Sequence, residues 1–300
     1  MLINNAHEEA SGGGGYWTHQ LVKAVSDFCK VDLVKEVVQK RFENNPELIS
    51  TTGKYKKTKK YDYFLDISHF ESTTCTNAKK NIKVCYFPGI MQPTKMFDEI
   101  VTLSNYSRNF IKLYWGRDSL ICQPYSKDLK PQKKTPKSIA VLGNLFYEAD
   151  GHSKNQHVLI EAFKMLGDGW KMDIIGNPVN PYYVDKLMKM CDGLNVVFNL
   201  SASDEQKESI LAQSEFLWHG NGFGRTKPEQ TEHFGIAPEE GLKSGCKTYV
   251  HASGGAQDFC TSWKTPQELI KLTLDNAPNK KGVSFASHDT TVNFWKGVLI

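Results

Sequence analysis

The chain has 300 residues, of which 40% are hydrophobic and 11% aromatic, and its formal net charge at pH 7 is +4. The composition is sufficient for packed cores, and the length suggests two domains. No apolar run is long enough for a membrane-spanning helix, and the first residues lack the basic and apolar regions of a secretory leader. The seven cysteines are scattered and include no Cys-x-x-Cys pair, which predicts free thiols, no structural zinc and a reducing, cytoplasmic location.

Strand-like and helix-like segments alternate in the first part of the chain. The glycine run "SGGGG" predicts a loop, and apolar residues from Leu21 to Phe28 then recur at helical spacing. A second helix is predicted over 105–116, ending at Gly116. The predicted strands cover residues 31–34, 61–68, 82–87, 99–104 and 119–124. This alternation favours a parallel α/β arrangement.

Residues 126–137 are rich in lysine and proline and predict a linker, after which the alternating pattern restarts. Ser203 and Gln206 have the spacing of a helix capping box. The predicted strands are 138–145, 171–176, 195–200, 215–220 and 247–252, and the predicted helices are 155–166, 182–191, 203–213 and 265–276. The pattern predicts a second doubly wound α/β domain, in which ligands bind at the carboxyl ends of the strands.

Charge is distributed unevenly along the chain. Residues 1–137 contain 22 Lys and Arg against 14 Asp and Glu, whereas residues 138–300 contain 15 against 19. The basic part includes "KYKKTKK" at 54–60, followed by two further tyrosines. Such runs are either solvated loops or contacts for an anionic partner, and the asymmetry favours an anionic partner for the N-terminal part.

The segment "TEHFGIAPEEGLKSGC" places Glu232 and Glu240 eight residues apart, with a Phe-Gly turn between them. Pro238 suits the first turn of a helix, and Gly245 suits its end. One interpretation is a short capped surface helix, in which the carboxylates serve the helix dipole. The other is a helix N-terminus that binds a phosphate, with the two carboxylates holding a sugar.

Several motifs resemble the donor-binding domain of glycosyltransferase family 4, which has the GT-B fold. They are, in order, "VLGNLFYEADGHSKNQHVLIEAF", "MDIIGNP", "EHFGIAPEEGLKSGC" with its Glu-x7-Glu spacing, and "YVHASGGAQDF". The resemblance is good over 138–260 and weaker over 1–125. It implies two doubly wound Rossmann-like domains facing a central cleft. These would be an acceptor-side domain at 1–130, a donor-binding domain at 131–285 and a C-terminal helix at 286–300 that packs back on the first domain.

The resemblance also implies a retaining, metal-independent transfer of a sugar from a nucleotide-diphosphate sugar. Lys154 matches the phosphate-binding lysine, whereas Asn144 occupies the usual place of a partner arginine, so Arg225 is the candidate for the second cation. Glu240 would accept the ribose hydroxyls and Glu232 the sugar hydroxyls. The full donor-binding prediction comprises Gly13, Gly14, Gly15, Asn144, Lys154, Arg225, Glu232, His233, Phe234, Gly235, Ile236 and Glu240.

The segment "VCYFPGI" lacks the histidine that many family members place near the reacting carbon. His69 is the candidate replacement, although a structural role for it is equally open, and the predicted catalytic set is Glu232, Lys154 and His69. Trp218 is expected in the core and His219 at the pocket, while Glu239 is expected to be solvated. No Asp-x-Asp pair occurs, so no metal and no cofactor are expected.

The sequence does not identify the sugar, the base, the acceptor or the oligomeric state. The basic N-terminal part favours a polyanionic acceptor, either nucleic acid such as a modified DNA base or an anionic lipid or glycan. Its predicted contacts are Lys56, Lys57, Lys59 and Lys60. Two other functions stay open: a nucleic-acid-binding module without catalysis, and a sugar phosphorylase or isomerase on the same fold.

Overall fold

A computed structural model describes residues 1–4, 13–34, 48–49, 60–67, 72–89, 95–147 and 153–300. The chain forms two compact units: Met1–Tyr125 with Phe285–Ile300, and Ser126–Ser284. None of the helices in these ranges combines the length and the hydropathy needed to traverse a bilayer.

The first unit contains a six-stranded sheet in the order β2-β1-β4-β6-β7-β8, and every pairing in it is parallel. Its strands are β1 (Leu2–Asn4), β2 (Asp32–Val34), β4 (Tyr61–Asp66), β6 (Ala78–Cys85), β7 (Glu99–Thr102) and β8 (Leu120–Ile121). A separate antiparallel pair joins β3 (Leu48–Ile49) to β5 (Thr74–Cys75). The helices described in this unit are α1 (Gly13–Ser26), α2 (Asn105–Trp115) and, at the end of the chain, α8 (His288–Leu299).

A buried polar row fixes the register of three neighbouring strands in this sheet. Asn4, Asp66 and Lys83 lie side by side on β1, β4 and β6. The Lys83 ammonium lies 2.7 Å from Asp66 Oδ2, and the Asn4 amide donates to Asp66 Oδ1 at 2.8 Å. Any slip of register would leave these buried groups unpaired, which is strongly unfavourable.

The second unit contains a six-stranded parallel sheet in the order β11-β10-β9-β12-β13-β14. Its strands are β9 (Thr135–Leu142), β10 (Lys171–Gly176), β11 (Val196–Leu200), β12 (Ser214–His219), β13 (Lys247–His251) and β14 (Thr261–Trp263). Its helices are α3 (Gln156–Lys164), α4 (Pro181–Met190), α5 (Asp204–Gln213), α6 (Ile236–Lys243) and α7 (Pro266–Leu274). Counted along the chain, this is the Rossmann order 3-2-1-4-5-6, whose switch point lies between β9 and β12.

Alternating residues of the central strands bury both faces of this sheet. Ile139 and Val141 of β9 belong to one apolar cluster, whereas Ala140 and Leu142 belong to another. Trp218 of β12 is fully buried and donates its indole N–H to Thr273. Burial on both faces explains why the central strands read as continuous apolar runs, and the expected core position of Trp218 is confirmed.

The predicted helix over 105–116 is confirmed, because α2 spans Asn105–Trp115 and Gly116 caps its end with φ of 64°. The Ser203–Gln206 capping box is also present. Four short strands were not predicted, namely β1, β3, its partner β5, and β14. Each has only two or three residues, too few for a periodic pattern to emerge.

Two predictions about loops were wrong. Gly13, Gly14 and Gly15 form the first turn of α1 rather than a loop. The segment 126–137 is not a free linker: Ser126 is buried, and the Lys134 ammonium donates to the carbonyl oxygens of Leu211, Ala212 and Ser244. Long lysine side chains can bury their stems in this way, so composition alone did not distinguish this segment from solvated chain.

Candidate active site

Glycines bring three strand ends together at the carboxyl edge of the second sheet. A Cβ at Gly176, which ends β10, would lie 2.1 Å from the carbonyl oxygen of Gly143, which follows β9. A Cβ at Gly220, directly after β12, would lie 3.1 Å from the carbonyl oxygen of Lys154. Because glycine has no side chain, the backbone segments that follow β9, β10 and β12 can approach closely at this edge. Lys154 therefore lies near the switch point between β9 and β12.

Glu232 is the centre of a polar cluster at this edge. Its Oε2 atom lies 2.7 Å from Lys154 Nζ, 2.9 Å from Asn221 Nδ2 and 3.0 Å from His219 Nε2. The Glu232 carbonyl oxygen accepts the Gly255 N–H at 2.6 Å, so the backbone is held as well as the side chain. The predicted site residues Lys154 and Glu232, 78 positions apart, are in direct contact.

The electrostatics of the cluster keep Glu232 ionised and His219 neutral. Burial by itself raises the pKa of Glu232, but the Lys154 ammonium and the His219 hydrogen bond outweigh it and hold that pKa well below its usual range. Burial lowers the pKa of His219, against the opposing attraction of Glu232. A neutral His219 that faces a carboxylate through Nε2 must carry its proton there, so His219 is a hydrogen-bond donor.

Asn155 fixes the end of the segment that carries Lys154. It adopts a left-handed conformation with φ of 54° as the residue before α3. Its amide donates to the carbonyl oxygens of Gly220 at 2.9 Å and Phe223 at 3.1 Å. Asparagine tolerates this backbone conformation better than most residues do, and its side chain ties the lysine segment to the end of β12.

Glu240 lies in α6 and forms an ion pair with a lysine from α5. Its Oε1 atom lies 2.8 Å from the Lys207 ammonium, which also lies 3.3 Å from Asp204. Burial raises the pKa of Glu240, although Lys207 opposes the shift. Each of the two predicted carboxylates therefore lies beside a lysine, Glu232 beside Lys154 and Glu240 beside Lys207.

The turn before α6 positions the backbone between the two glutamates. Gly235 has φ of 107°, and a Cβ there would lie 2.9 Å from Ala256 Cβ. Phe234 is buried against Phe259 with ring centroids 5.2 Å apart, and α6 begins at Ile236. His233 is half-buried, and its Nε2 lies 3.2 Å from the carbonyl oxygen of Glu229. The start of α6 is thus fixed by packing and by a glycine conformation that other residues avoid.

The prediction that Glu239 is solvated was wrong. Glu239 is fully buried, its Oε1 lies 3.0 Å from the Lys243 ammonium, and its Oε2 accepts the Ser126 N–H at 3.2 Å. Lys243 also donates to the Ser126 carbonyl oxygen at 2.8 Å. Adjacent helix residues point in different directions, so Glu239 faces the first residues of this unit while Glu240 faces α5.

The candidate second cation lies beside the loop that follows β9. The Arg225 guanidinium sits over the Tyr147 ring, 5.5 Å from its centroid. Asn144 is half-buried in the same loop, and its carbonyl oxygen accepts the Gln156 amide at 3.1 Å. A stacked aromatic ring favours a cation at this position.

In the first unit, Gly14 in the first turn of α1 contacts a tyrosine. The Tyr86 hydroxyl donates to the Gly14 carbonyl oxygen at 2.6 Å and lies 2.5 Å from Thr18 Oγ1. A Cβ at Gly14 would lie 3.4 Å from the Tyr86 ring.

Among the remaining predicted residues, Lys60 is exposed just before β4. Four of the predicted residues lie outside the described residues, namely His69, Lys56, Lys57 and Lys59.

Asn221 was not predicted, and His219 was predicted only as a pocket residue. Both are buried, and both contact Glu232. A signal was available, because "WHGNG" places polar side chains directly after a buried strand, where ligands bind in such sheets.

Three solved structures that are similar to this chain are glycosyltransferases. AviGT4, a glycosyltransferase involved in avilamycin A biosynthesis, is 12% identical with a TM-score of 0.66, covering 99% of this chain and 96% of its own. WaaG, a glycosyltransferase involved in lipopolysaccharide biosynthesis, is 12% identical with a TM-score of 0.57, covering 98% and 95%. The pneumococcal O-GlcNAc transferase GtfA, in complex with UDP and GlcNAc, is 12% identical with a TM-score of 0.56, covering 80% and 57%.

These similarities and the two parallel sheets define a protein with the GT-B fold, as the sequence predicted. The family "Glycosyl transferases group 1" matches residues 127–276. The chain belongs to this family, and it is a glycosyltransferase. The search of curated proteins gave no match.

Proposed function

We propose that this glycosyltransferase is a family 4 enzyme with a Glu-x7-Glu motif, which transfers a sugar from a nucleotide-diphosphate sugar with retention and without a metal. The observation that carries the proposal is the contact between Lys154 and Glu232 at the switch point between β9 and β12. It joins a cation and a carboxylate where such sheets bind nucleotides. A diphosphate needs the cation, and a sugar hydroxyl needs the carboxylate.

In this proposal, each charged residue has one role. Lys154 stabilises the charge that develops on the departing diphosphate, and Glu232 accepts a hydroxyl of the donor sugar. Glu240 accepts the ribose hydroxyls. Arg225 supplies the second cation, because Asn144 occupies the place where the family usually has an arginine. The stacking of Arg225 on Tyr147 supports this role.

The proposal also covers the chemical class of the acceptor and the cellular location of the protein. The lysines at 56, 57, 59 and 60 favour a polyanionic acceptor, either nucleic acid or an anionic lipid or glycan. Among the described residues, no disulfide joins any of the cysteines, which supports a reducing cytoplasmic environment.

The test begins with thermal shift against a panel of nucleotide sugars, in which a donor at 100 times its Kd adds about 2.7 kcal/mol. With the donor found, Lys154→Ala should lower turnover by more than it weakens donor binding, because leaving-group charge grows toward the transition state. Lys189→Ala is the control, since that lysine is 77% exposed and pairs with Asp185 on its own helix.

Two results would contradict this proposal. A panel without any binding nucleotide sugar would remove the donor assignment. Activity that EDTA abolishes and Mn²⁺ restores would remove metal independence, because the cationic side chains would then be insufficient.

A further inference from the structure

Three donors converge on a single oxygen of Glu232, which leaves the two carboxylate oxygens unequal. Lys154, His219 and Asn221 all contact Oε2, and no donor among the described residues contacts Oε1. A carboxylate oxygen accepts about two hydrogen bonds, so Oε2 is saturated while Oε1 keeps its capacity. The asymmetry gives the carboxylate one orientation.

The orientation of Asn221 is determined by Glu232. Its Nδ2 donates to the carboxylate, and its Oδ1 is buried without a partner in the part of the chain that the structure describes. Reversing the amide would put a carbonyl oxygen against the carboxylate. A buried carbonyl oxygen without a partner is unfavourable, so packing alone does not explain an asparagine at position 221. Its hydrogen bond to Glu232 does explain it.

The backbone delivers both side chains from one strand end. His219 is the last residue of β12, and Asn221 follows two positions later, beyond Gly220. Gly222 then turns the chain with φ of 91°, at a place where a Cβ would lie 2.1 Å from Ser253 Oγ. The conformation of this segment is thus constrained next to the two side chains that hold Glu232.

We propose that His219 and Asn221 are positioning residues, which hold Glu232 so that Oε1 is presented to a hydroxyl group of the donor sugar. This inference rests on the proposed function of Glu232. Both side chains are more than 95% buried, so they act through Glu232 rather than by touching the substrate. Lys154 alone would leave the carboxylate free to rotate about its ion pair, and the two neutral donors remove that freedom.

The test compares substitutions that keep and remove each donor in the full chain. His219→Gln keeps an N–H donor of similar reach, whereas His219→Met removes it at similar volume. Asn221→Asp keeps the shape and replaces the donor by a repelling carboxylate, with Asn195→Asp as the control because that amide donates to Trp170, away from Glu232. The ligands are the nucleotide sugar that gives the largest shift in the panel, and its free nucleoside diphosphate.

We expect His219→Met and Asn221→Asp to lower sugar transfer about 10- to 100-fold, the effect of losing one hydrogen bond to a charged group. Their affinity for the free nucleoside diphosphate should be unchanged, and His219→Gln should recover most of the transfer. Donor analogues that lack one sugar hydroxyl at a time give the sharpest readout. With the analogue lacking the hydroxyl held by Oε1, His219→Met should transfer no worse than the unmodified protein.

Specific outcomes would overturn the inference. If the variants weaken nucleoside diphosphate and nucleotide sugar equally, or if His219→Gln is as impaired as His219→Met, the two residues serve packing alone. Retained melting temperatures identify folded variants, and Asn221→Asp with the analogue series decides the matter if His219→Met does not fold. If no nucleotide sugar binds the unmodified protein, the proposed function fails first, and this inference fails with it.

Discussion

At the scale of single residues, Glu239 and Glu240 are adjacent in the chain but lie in different surroundings. Glu239 is fully buried with Lys243, whereas Glu240 is only partly buried and pairs with Lys207. Glu239→Ala should destabilise the protein by about 1–3 kcal/mol, because the buried Ser126 N–H loses its acceptor and Lys243 loses its nearest carboxylate. Glu240→Ala should instead weaken nucleotide-sugar binding about 10- to 100-fold.

Thermal melting and titration calorimetry on the two variants separate these effects. If Glu239→Ala reduced donor affinity more than Glu240→Ala did, the ribose contact would have been assigned to the wrong carboxylate.

His219 should make the protein less stable in acid. Its pKa is lowered from 6.5 by burial, and the nearby Lys154 lowers it further while Glu232 opposes the shift. As pH falls below 6.5, the unfolded chain binds a proton that the folded state resists, so the free energy of unfolding decreases. Melting temperatures from pH 7 to pH 5 should therefore fall more steeply for the natural protein than for His219→Gln.

The carboxyl groups titrate in both proteins, so they largely cancel in this comparison. Parallel melting curves would show that the pKa of His219 is the same in the folded and unfolded states.

At the scale of elements, the loop after β13 fixes the backbone position of Glu232. Gly254 has φ of 83°, and a Cβ there would lie 2.1 Å from the Glu232 carbonyl oxygen. Gly193 has a similar φ of 73°, but nothing lies within 4 Å of its Cβ position. Both Gly→Ala changes add backbone strain of about 1–2 kcal/mol, but only Gly254→Ala displaces Glu232.

Gly254→Ala should lower turnover about 100-fold, as expected for a displacement of about 1 Å at a reacting group. Gly193→Ala should lose stability without losing turnover. Equal turnover in the two variants would mean that Glu232 does not need its backbone anchor.

At the scale of the whole molecule, the chain returns to its first unit at its end. Trp295 and Leu299 of α8 are buried, the Lys80 ammonium donates to the Val298 carbonyl oxygen at 3.2 Å, and His288 pairs with Asp27 at 2.7 Å. Trp295→Ala should destabilise the first unit by about 3–5 kcal/mol, because it removes a large buried side chain.

Hydrogen exchange should then accelerate in α1 and α8 while β9 and β12 of the second unit keep their protection. Ile300→Ala is the control, since Ile300 is 91% exposed. Equal acceleration in both units would show that they unfold as one cooperative block.

The boundaries of the two units change how the charged residues are divided between them. The first unit carries 18 Lys and Arg against 14 Asp and Glu, and the second carries 19 against 19. The larger asymmetry predicted from the sequence arose because the lysines of 126–137 were assigned to the N-terminal part, although they belong to the second unit. The surplus of the first unit equals the four lysines at 56, 57, 59 and 60.

Replacing these four lysines by glutamine should therefore test the proposed anionic acceptor directly. On duplex DNA, the logarithmic salt dependence of acceptor binding should become shallower by about 0.9 for each phosphate that the variant no longer neutralises. Unchanged transfer and an unchanged salt slope would indicate a neutral acceptor.

The sequence by itself determined the repeated α/β pattern, the ends of the longer helices and the position of Glu232 just before the start of a helix. These features depend on local periodicity, on capping residues such as Ser203 and on glycines such as Gly116 and Gly235, all of which act over a few neighbouring positions. The alternating pattern by itself predicted two parallel α/β domains, and the GT-B fold was what the resemblance of the ordered motifs to a known family implied.

Only the tertiary structure decided which polar side chains meet. Lys154 and Glu232 are 78 positions apart, and Asn221 and His219 reach the same oxygen from a third segment. Glu239 and Glu240 have the same chemistry in the sequence, and the elements packed around them make one structural and leave the other near the proposed ribose site. Burial and partners depend on contacts that are distant along the chain, and local periodicity contains no information about those contacts.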